Sequence, residues 1–246
     1  MVRHRAGRAA AARVLAFPLT VILALILSLG LSLATARAQD AAPSDRRQNA
    51  PGQFDFYVLA LSWSPSYCAA AAARAPNRKP GMECGGRPYA FVVHGLWPQY
   101  AQGFPSYCQV PAPKLDHATI GAALDMMPSP GLVMHEWQRH GTCSGLSPHA
   151  YFDTVRKARA VVKIPEDYLD PAAPLTLTPD AVAAAFVKSN PGLTRADIAV
   201  ACDKTRLTEV RICIDKKFAF HDCAEVARRS CARAKLTMPA VRGASH

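Results

Sequence analysis

Two histidine-containing segments hold the side chains of this chain that are best suited to chemistry. The first reads Phe-Val-Val-His-Gly-Leu-Trp-Pro and carries His94, and the second reads His-Glu-Trp-Gln-Arg-His-Gly-Thr-Cys from His135 to Cys143. Histidine exchanges protons near neutrality because its ordinary pKa is about 6.5. Two separated histidines, with a carboxylate and a guanidinium beside one of them, are what metal-free cleavage of a phosphodiester requires. The two segments therefore predict proton transfer around a phosphate.

The second segment also suggests a zinc metalloprotease, because His-Glu on a helix opens that motif. The zinc motif places its two histidine ligands four residues apart on one helical face. Here His135 and His140 are five residues apart. That spacing separates the two rings by about 140° around a helix, which suits one tetrahedral ion poorly. We therefore expect no metal and no other cofactor.

A helix over residues 132–140 would have a chemical face and a core face. The core face is expected to hold Val133, Met134 and Trp137. The chemical face is expected to hold His135, Glu136, Arg139 and His140. One such histidine would most simply be a surface residue, but four polar groups of this kind within six residues indicate a site.

The amino-terminal part of the chain has the composition of a secretory signal. Arginines are scattered over the first thirteen residues, an uncharged stretch runs from Val14 to Ala36, and Ala36-Arg37-Ala38 offers a cleavage site. We predict a signal peptide over residues 1–38, a flexible lead-in over 39–52 and a single domain over 53–246. An uncleaved membrane anchor is the alternative, because the apolar run is long enough to span a bilayer. In either case we expect a secreted or periplasmic domain.

The chain is basic. The formal net charge is +11, of which five positive charges belong to the arginines of residues 1–38, leaving +6 on the rest. A basic surface attracts phosphates without regard to base sequence. The charge is therefore compatible with a nucleic acid as partner.

All eight cysteines lie beyond the predicted leader. An even number of cysteines in an oxidising compartment predicts disulfides, here four, and the chain has no Cys-x-x-Cys pair that would suggest a zinc site. Eight cysteines allow 105 pairings, and spacing does not select among them. The cysteines are Cys68, Cys84, Cys108, Cys143, Cys202, Cys213, Cys223 and Cys231.

Helices and strands are predicted in mixed order. Apolar and alternating patterns predict strands over residues 54–63, 89–93, 197–202 and 207–214. Helical patterns cover residues 114–127, 132–140, 151–162 and 180–189. Residues 69–88 are expected to form a disulfide-stapled loop, and His94 is expected at the end of a strand. The mixed order predicts an α+β fold, with a central, mostly antiparallel sheet, several packed helices and disulfide staples.

Both histidine segments resemble the two active-site segments of the ribonuclease T2 family, which comprises metal-independent endoribonucleases. The similarity extends over most of residues 54–231. The resemblance implies that His94 and His140 form the acid–base pair, with His140 as base and His94 as acid. It implies that His135 holds the phosphate, that Glu136 polarises or protonates a phosphoryl oxygen, and that Trp97 stacks on a base.

Two further details follow from the resemblance. The family usually has lysine where this chain has Arg139, so a planar fork replaces a point charge among the groups that hold the phosphate. The resemblance also implies four disulfide pairs, which are Cys68 with Cys84, Cys108 with Cys143, Cys202 with Cys231, and Cys213 with Cys223.

The activity implied is cleavage of single-stranded RNA through a 2′,3′-cyclic phosphate to a 3′-phosphate. RNA would be the substrate, DNA would not be cleaved because it lacks the 2′-hydroxyl, and we expect a monomer. The alternative from another class is a secreted RNA-binding or toxin-like module that keeps the fold and does not need cleavage. A turnover assay on RNA homopolymers separates the two hypotheses.

Overall fold

The structure is a computed structural model in which residues 49–241 are described. The predicted signal peptide and residues 39–48 of the predicted lead-in lie outside the described residues. The last part of the lead-in is hydrogen-bonded to the domain, since Asn49 Oδ1 accepts from the Ser106 amide and the Gly52 amide donates to the Cys143 carbonyl, both at 2.9 Å. Residues 49–52 therefore pack with the domain.

Two antiparallel sheets are present in the described part of the chain. The strands are β1 (Phe56–Trp63), β2 (Phe91–Gln99), β3 (Leu175–Leu177), β4 (Ile198–Cys202), β5 (Leu207–Ile214) and β6 (Leu236–Met238). The main sheet has the order β2-β1-β5-β4, and β3 pairs with β6 in a second, smaller sheet. Strand β1 lies inside the main sheet and is buried along almost its whole length, as its aromatic and branched side chains favour.

Helices follow and separate these strands. They are α1 (Ser64–Arg74), α2 (Met82–Gly85), α3 (His117–Ala123), α4 (Pro130–Arg139), α5 (Pro148–Ala160), α6 (Pro179–Ser189) and α7 (Ala224–Arg228), with short 3-10 turns at Gly141–Cys143 and Glu166–Tyr168. Within residues 49–241, no helix combines the length and the apolar character that crossing a membrane requires.

Three of the helices begin with the same local chemistry. A serine or threonine precedes a proline, and its hydroxyl accepts a hydrogen bond from the backbone amide three residues on. The capping residues are Ser129 before α4, Ser147 before α5 and Thr178 before α6. Each cap accepts a hydrogen bond from an amide that has no acceptor within the helix, and such a cap typically stabilises a helix by about 1 kcal/mol. The cap at Ser129 thereby fixes where α4 starts, and so fixes which way the side chains of the second histidine segment point around the helix.

The alternating side chains of β1 contribute to two apolar clusters. Leu59, Leu61 and Trp63 belong to the large core, which also contains side chains of α4, α5 and α6. Phe56 and Val58, which point the other way, belong to a small cluster with the disulfide cysteines of β5 and the turn before α7. The main sheet therefore has one face in the large core and one face that carries the small cluster.

Four disulfides staple the domain. They join Cys68 to Cys84, Cys108 to Cys143, Cys202 to Cys231, and Cys213 to Cys223, which are the pairs that the family resemblance implies. The Cys108–Cys143 bridge ties the turn after α4 to the loop that follows β2. The predicted α+β fold, with its antiparallel sheet, helices and disulfide staples, is confirmed.

Several predicted elements differ from those observed, and two of these differences concern helices. Residues 69–88 were expected to form a loop, but α1 runs directly on from β1 through the alanines to Arg74, because alanine favours a helix and Pro65 fits its first turn. The helix expected from residue 114 begins only at His117. Asp116 caps it by accepting from the Thr119 amide at 2.6 Å.

Strand β2 does not end at His94, as the sequence suggested, but continues to Gln99. Ala60 of β1 pairs with Gly95, and the next residue, Leu61, pairs with Val93. His94 is therefore the additional residue of a β-bulge. Bulges of this kind redirect side chains within a strand.

The packing around the turn after α4 can be tested at a glycine. A Cβ at Gly141 would lie 2.4 Å from a ring carbon of Trp137 and 3.0 Å from ring carbons of Tyr151, both in the large core. We expect Gly141→Ala to lower the free energy of unfolding by about 1–3 kcal/mol, because overpacked cores are destabilised by that amount. Urea denaturation measures this change.

Gly121 in α3 provides the matched control. A Cβ there would meet no atom within 4 Å, so Gly121→Ala should stabilise the protein by about 0.4–1 kcal/mol through the unfolded state. Equal effects of the two substitutions would contradict this description of the core.

Candidate active site

Helix α4 positions the second histidine segment. Val133 and Trp137 anchor it in the core, and the Trp137 indole donates a hydrogen bond to the Pro113 carbonyl at 2.7 Å. The prediction for Met134 was wrong, since this side chain is 44% exposed. The buried arc instead includes Glu136, which is 1% exposed and adjoins Trp137 in the chain. The helix thus carries its carboxylate on the inward side.

The bulge in β2 brings the first histidine segment to the same place. In a regular strand, residues three apart point to opposite faces. With the bulge, His94 and Trp97 both line one cleft, while Val93 and Leu96 both lie in the large core. A regular strand could not place both His94 and Trp97 in the cleft, and the bulge makes this possible.

The two segments meet at a cleft of about 340 Å³. It is lined by all six residues that the sequence singled out for chemistry or base stacking, which are His94, Trp97, His135, Glu136, Arg139 and His140. Other side chains at the cleft were not predicted, and they include Phe104, Arg211 and Arg229.

Glu136 is the most buried of the six predicted residues, at 1% exposed. The Trp97 indole donates to its Oε2 at 2.8 Å, and its Oε1 is 3.5 Å from His94 Nε2. Gly95 leaves room for this carboxylate, because a Cβ at that position would lie 2.0 Å from Oε2. Burial raises the pKa of Glu136 to about 7, against the opposing charge of His94. The carboxyl group therefore exists in both protonation states near neutral pH.

His140 ends α4 and is 7% exposed. Burial lowers its pKa to about 3, with further contributions from the positive charges of Arg139 and of the other histidines. Among the described residues, no hydrogen-bond partner reaches its Nδ1. Its ring lies 5.3 Å from the Trp97 ring, centroid to centroid, with an interplanar angle of 30°. The imidazole is therefore neutral over most of the physiological pH range.

His94 has the opposite environment. Its Nδ1 lies 2.6 Å from Oε1 of Glu209, a buried carboxylate on β5. Burial alone would lower the pKa of His94, but the hydrogen bond and charge of Glu209, together with the charge of Glu136, outweigh it and raise the pKa. His94 and His140 are thus biased towards different protonation states.

His135 and Arg139 also line the cleft. His135 is exposed, and its pKa is lowered by partial burial and by the charges of Arg139 and His94. Arg139 is half-buried, and its Nε has no hydrogen-bond partner among the described residues. The cleft thus carries one exposed imidazole and one half-buried guanidinium beside the His94 and His140 rings.

Glu209 and Arg211 were missed in the sequence. They lie on β5 two residues apart and so on one face, and Arg211 Nε donates to Glu209 Oε2 at 2.6 Å. Strand β5 was predicted correctly over residues 207–214. A glutamate within a strand whose other residues are mostly apolar was the signal that could have identified a buried, functional carboxylate.

The chain matches the ribonuclease T2 family over residues 54–223. The chain belongs to this family. The match includes both histidine segments and the Glu209–Arg211 pair, so the residues of the cleft lie within the T2 region, apart from Val226 and Arg229.

Two bacterial relatives show the extent of the similarity. A ribonuclease from Aeromonas hydrophila is 47% identical over 100 residues, which are 41% of this chain and 42% of that protein. A probable ribonuclease from Haemophilus influenzae is 30% identical over 185 residues, which are 72% of this chain and 63% of that protein. The chain thus spans less than two thirds of either relative.

Solved structures of an RNase-related protein and of an RNase share the fold. An RNase-related protein from Calystegia sepium superposes with a TM-score of 0.60 at 22% identity, over 76% of this chain and 97% of that one. RNase NT in complex with 5′-AMP superposes with a TM-score of 0.53 at 24% identity, over 70% of this chain and 91% of that one.

The burial of Glu136 can be tested at Gly95. We expect Gly95→Ala to push the Glu136 carboxylate and the Trp97 indole apart, because a Cβ would lie 2.0 Å from the carboxylate and 2.5 Å from the indole nitrogen. The pKa of Glu136 should then fall from about 7 towards its ordinary value as water reaches it. Carbon NMR of the carboxyl group during a pH titration measures the change.

Gly121→Ala is again the control and should leave the titration of Glu136 as it is, since Gly121 lies on α3 in open space. An unchanged pKa of Glu136 in Gly95→Ala would show that the close approach of β2 does not hold this carboxylate.

Proposed function

We propose that the chain is a metal-independent endoribonuclease that cleaves single-stranded RNA by transesterification. The observation that carries the proposal is the presence, in one cleft, of two imidazoles whose pKa values are shifted in opposite directions. His140 is uncharged near neutrality and suits a general base. His94 is protonated to higher pH than a free imidazole and suits a general acid.

In the first step His140 takes the proton of the 2′-hydroxyl, and the 2′-oxygen attacks phosphorus. The bond from phosphorus to the 5′-oxygen breaks, and His94 Nε2 gives that oxygen its proton. The products are a 2′,3′-cyclic phosphate and a free 5′-hydroxyl. Water then attacks the cyclic phosphate with the two histidines in exchanged roles, the bond to the 2′-oxygen breaks, and a 3′-phosphate remains.

The other polar groups stabilise charge on the phosphate. His135 and Arg139, which line the cleft, hold the non-bridging oxygens. Arg139 offers them the planar fork of a guanidinium in place of the usual lysine. Glu136 in its protonated form donates a hydrogen bond to one of these oxygens. Burial raises the pKa of Glu136 to about 7, so the protonated form is present up to neutral pH.

A bound phosphate also tunes the base. The anion raises the pKa of each nearby imidazole, because it favours the charged form. For His140 this moves the pKa upward from about 3, towards the range in which an imidazole is an effective base. The low pKa of the empty cleft is thus compatible with catalysis in the complex.

Trp97 is proposed to stack on a base. Its indole is held by Glu136, and its ring is 5.3 Å from each of the two imidazole rings, so a base on it would lie beside the reacting phosphate. Stacking on an aromatic ring accepts any base.

We also propose where the protein acts. After cleavage of residues 1–38 as a signal peptide, the remaining chain is a secreted or periplasmic monomer. Four disulfides are compatible with such an oxidising compartment.

The mechanism predicts which substrates and variants are inactive. Single-stranded RNA should be cut in excess chelator to 2′,3′-cyclic phosphate ends, visible by phosphorus NMR, whereas an oligonucleotide with one 2′-deoxy sugar should resist cleavage at that position. His94→Ala and His140→Ala should each lower kcat about 10³-fold, the scale of lost acid–base catalysis.

His149→Ala is the matched control, because this histidine is 75% exposed and lies outside the cleft, where it pairs with Asp153. It should retain full activity. Cleavage that stops in chelator, or cleavage at a 2′-deoxy sugar, would contradict the proposal.

The pKa directions predict the pH profile. The base must be deprotonated, so the acid limb of kcat/KM should lie well below pH 6.5, as the lowered pKa of His140 requires. His94 and Glu136 must both be protonated, so activity should fall as pH rises through the pKa of Glu136, at about 7, and through the raised pKa of His94. The acid limb of kcat should lie at higher pH than that of kcat/KM, because bound phosphate raises the pKa of the base. An acid limb of kcat/KM near pH 6.5 would rule out buried His140 as the base.

A further inference from the structure

We propose that Glu209 is a positioning residue for His94: its carboxylate binds Nδ1 of the imidazole and thereby presents Nε2 to the reacting phosphate. The inference rests on the proposed function, since it names the group that orients the general acid. Glu209 itself lies behind His94 and is not among the residues that line the cleft.

Both oxygens of Glu209 are engaged. Oε1 lies 2.6 Å from His94 Nδ1 and 3.5 Å from the Ser62 hydroxyl, which donates to it, and Oε2 accepts from Arg211 Nε at 2.6 Å. The carboxylate is 5% exposed. Such a buried charge is stable only when it is paired, and here two cationic groups pair with it. The contacts fix its rotamer and therefore fix the direction from which it holds His94.

The sheet order explains how Glu209 reaches His94. Glu209 lies on β5 and His94 on β2, with β1 between them. The β1 residue opposite Glu209 is Ser62, which in turn pairs with Val92 of β2. A serine is small enough to leave a path over the middle strand, and the bulge at His94 turns its ring into that path. The contact therefore depends on the register of three strands.

The contact selects one form of the imidazole. Neutral histidine carries one N–H, and a carboxylate at Nδ1 keeps that hydrogen on Nδ1. Nε2 then points to the cleft side, where it lies 3.5 Å from Glu136 Oε1. When His94 is protonated, the Nε2 hydrogen is the one available to the departing 5′-oxygen. A third group that orients a catalytic histidine in this way is a recurrent device in enzymes.

Several charges act on His94 besides Glu209. Arg211 lies on β5, Glu136 and His135 lie on α4, and His140 follows α4. Glu83 of α2 also interacts electrostatically with His94. Burial and Arg211 lower the pKa of His94, whereas Glu209 and Glu136 raise it, and the net direction is upward. Burial would raise the pKa of Glu209, but its bonds to His94 and Arg211 lower it, so it stays ionised.

The test is Glu209→Gln, which keeps the shape and removes the charge. We expect kcat on RNA to fall about 10-fold to 100-fold with little change in KM. The alkaline limb of the kcat/KM profile should move to lower pH, because the pKa of His94 falls when the hydrogen bond and charge of its carboxylate partner are lost. Nitrogen NMR of histidine-labelled protein should show the same fall directly. Glu209→Asp, which keeps the charge, should show a smaller fall in kcat and a smaller shift of the alkaline limb than Glu209→Gln.

The matched control is Asp180→Asn, which also removes a carboxylate from an ion pair, here with Arg195 on the surface. It should leave kcat, the pH profile and the titration of His94 unchanged. A Glu209→Gln protein in which the pKa of His94 and the alkaline limb stay at their wild-type values overturns the inference.

Two further outcomes are distinguishable. If wild-type protein does not cleave RNA, the proposed function fails, while the NMR titration still decides whether Glu209 controls His94. If Glu209→Gln does not fold, nitrogen NMR of the wild-type protein above the pKa of His94 decides. The Nδ1–H tautomer supports the inference, and the Nε2–H tautomer overturns it.

Discussion

The removal of ionisable side chains from water is the constraint on which the rest of this site depends. Glu136, Glu209 and His140 are only 1%, 5% and 7% exposed. Burial favours the neutral form of each group unless a partner compensates. Glu209 has two cationic partners and stays charged, Glu136 has chiefly an indole donor and titrates near neutrality, and His140 has no partner for its Nδ1 among the described residues and stays neutral. Differences in hydrogen bonding within one desolvated cluster thus assign different protonation states to similar groups.

The sheet supplies the geometry in which these environments can coexist. The additional residue in β2 interrupts the regular alternation of side chains between the two faces of the strand. His94 and Trp97 therefore line the same cleft although they are three residues apart. The absence of a side chain at Gly95 leaves room for Glu136. Across the sheet, the small residue Ser62 lets Glu209 approach from two strands away. Helix α4 then needs only a correctly placed start, which Ser129 provides, to bring His140 to the other side of the cleft.

The sequence predicted the parts of the site that are local and left out those that depend on strand register. His94, Glu136 and His140 were identifiable because each lies in a short segment with other chemical side chains. The α+β fold followed from the mixed order of patterns, and β5 was predicted to the residue. Glu209 was not identifiable as a partner of His94, because 115 residues separate them and only the pairing of three strands joins them. The exposure of Met134 and the burial of Glu136 were also out of reach, since a helical wheel gives relative directions and the neighbouring elements decide which direction is the core.

In the proposed mechanism His94 is the acid and His140 the base of one displacement at phosphorus. This assignment is tested most directly with an RNA substrate whose 5′-bridging oxygen is replaced by sulfur, since a thiolate leaves without help from an acid. We expect His94→Ala to cleave this substrate at close to the wild-type rate, while His140→Ala remains nearly inactive on it. Rescue of His140→Ala but not of His94→Ala would contradict the assignment of the two histidines.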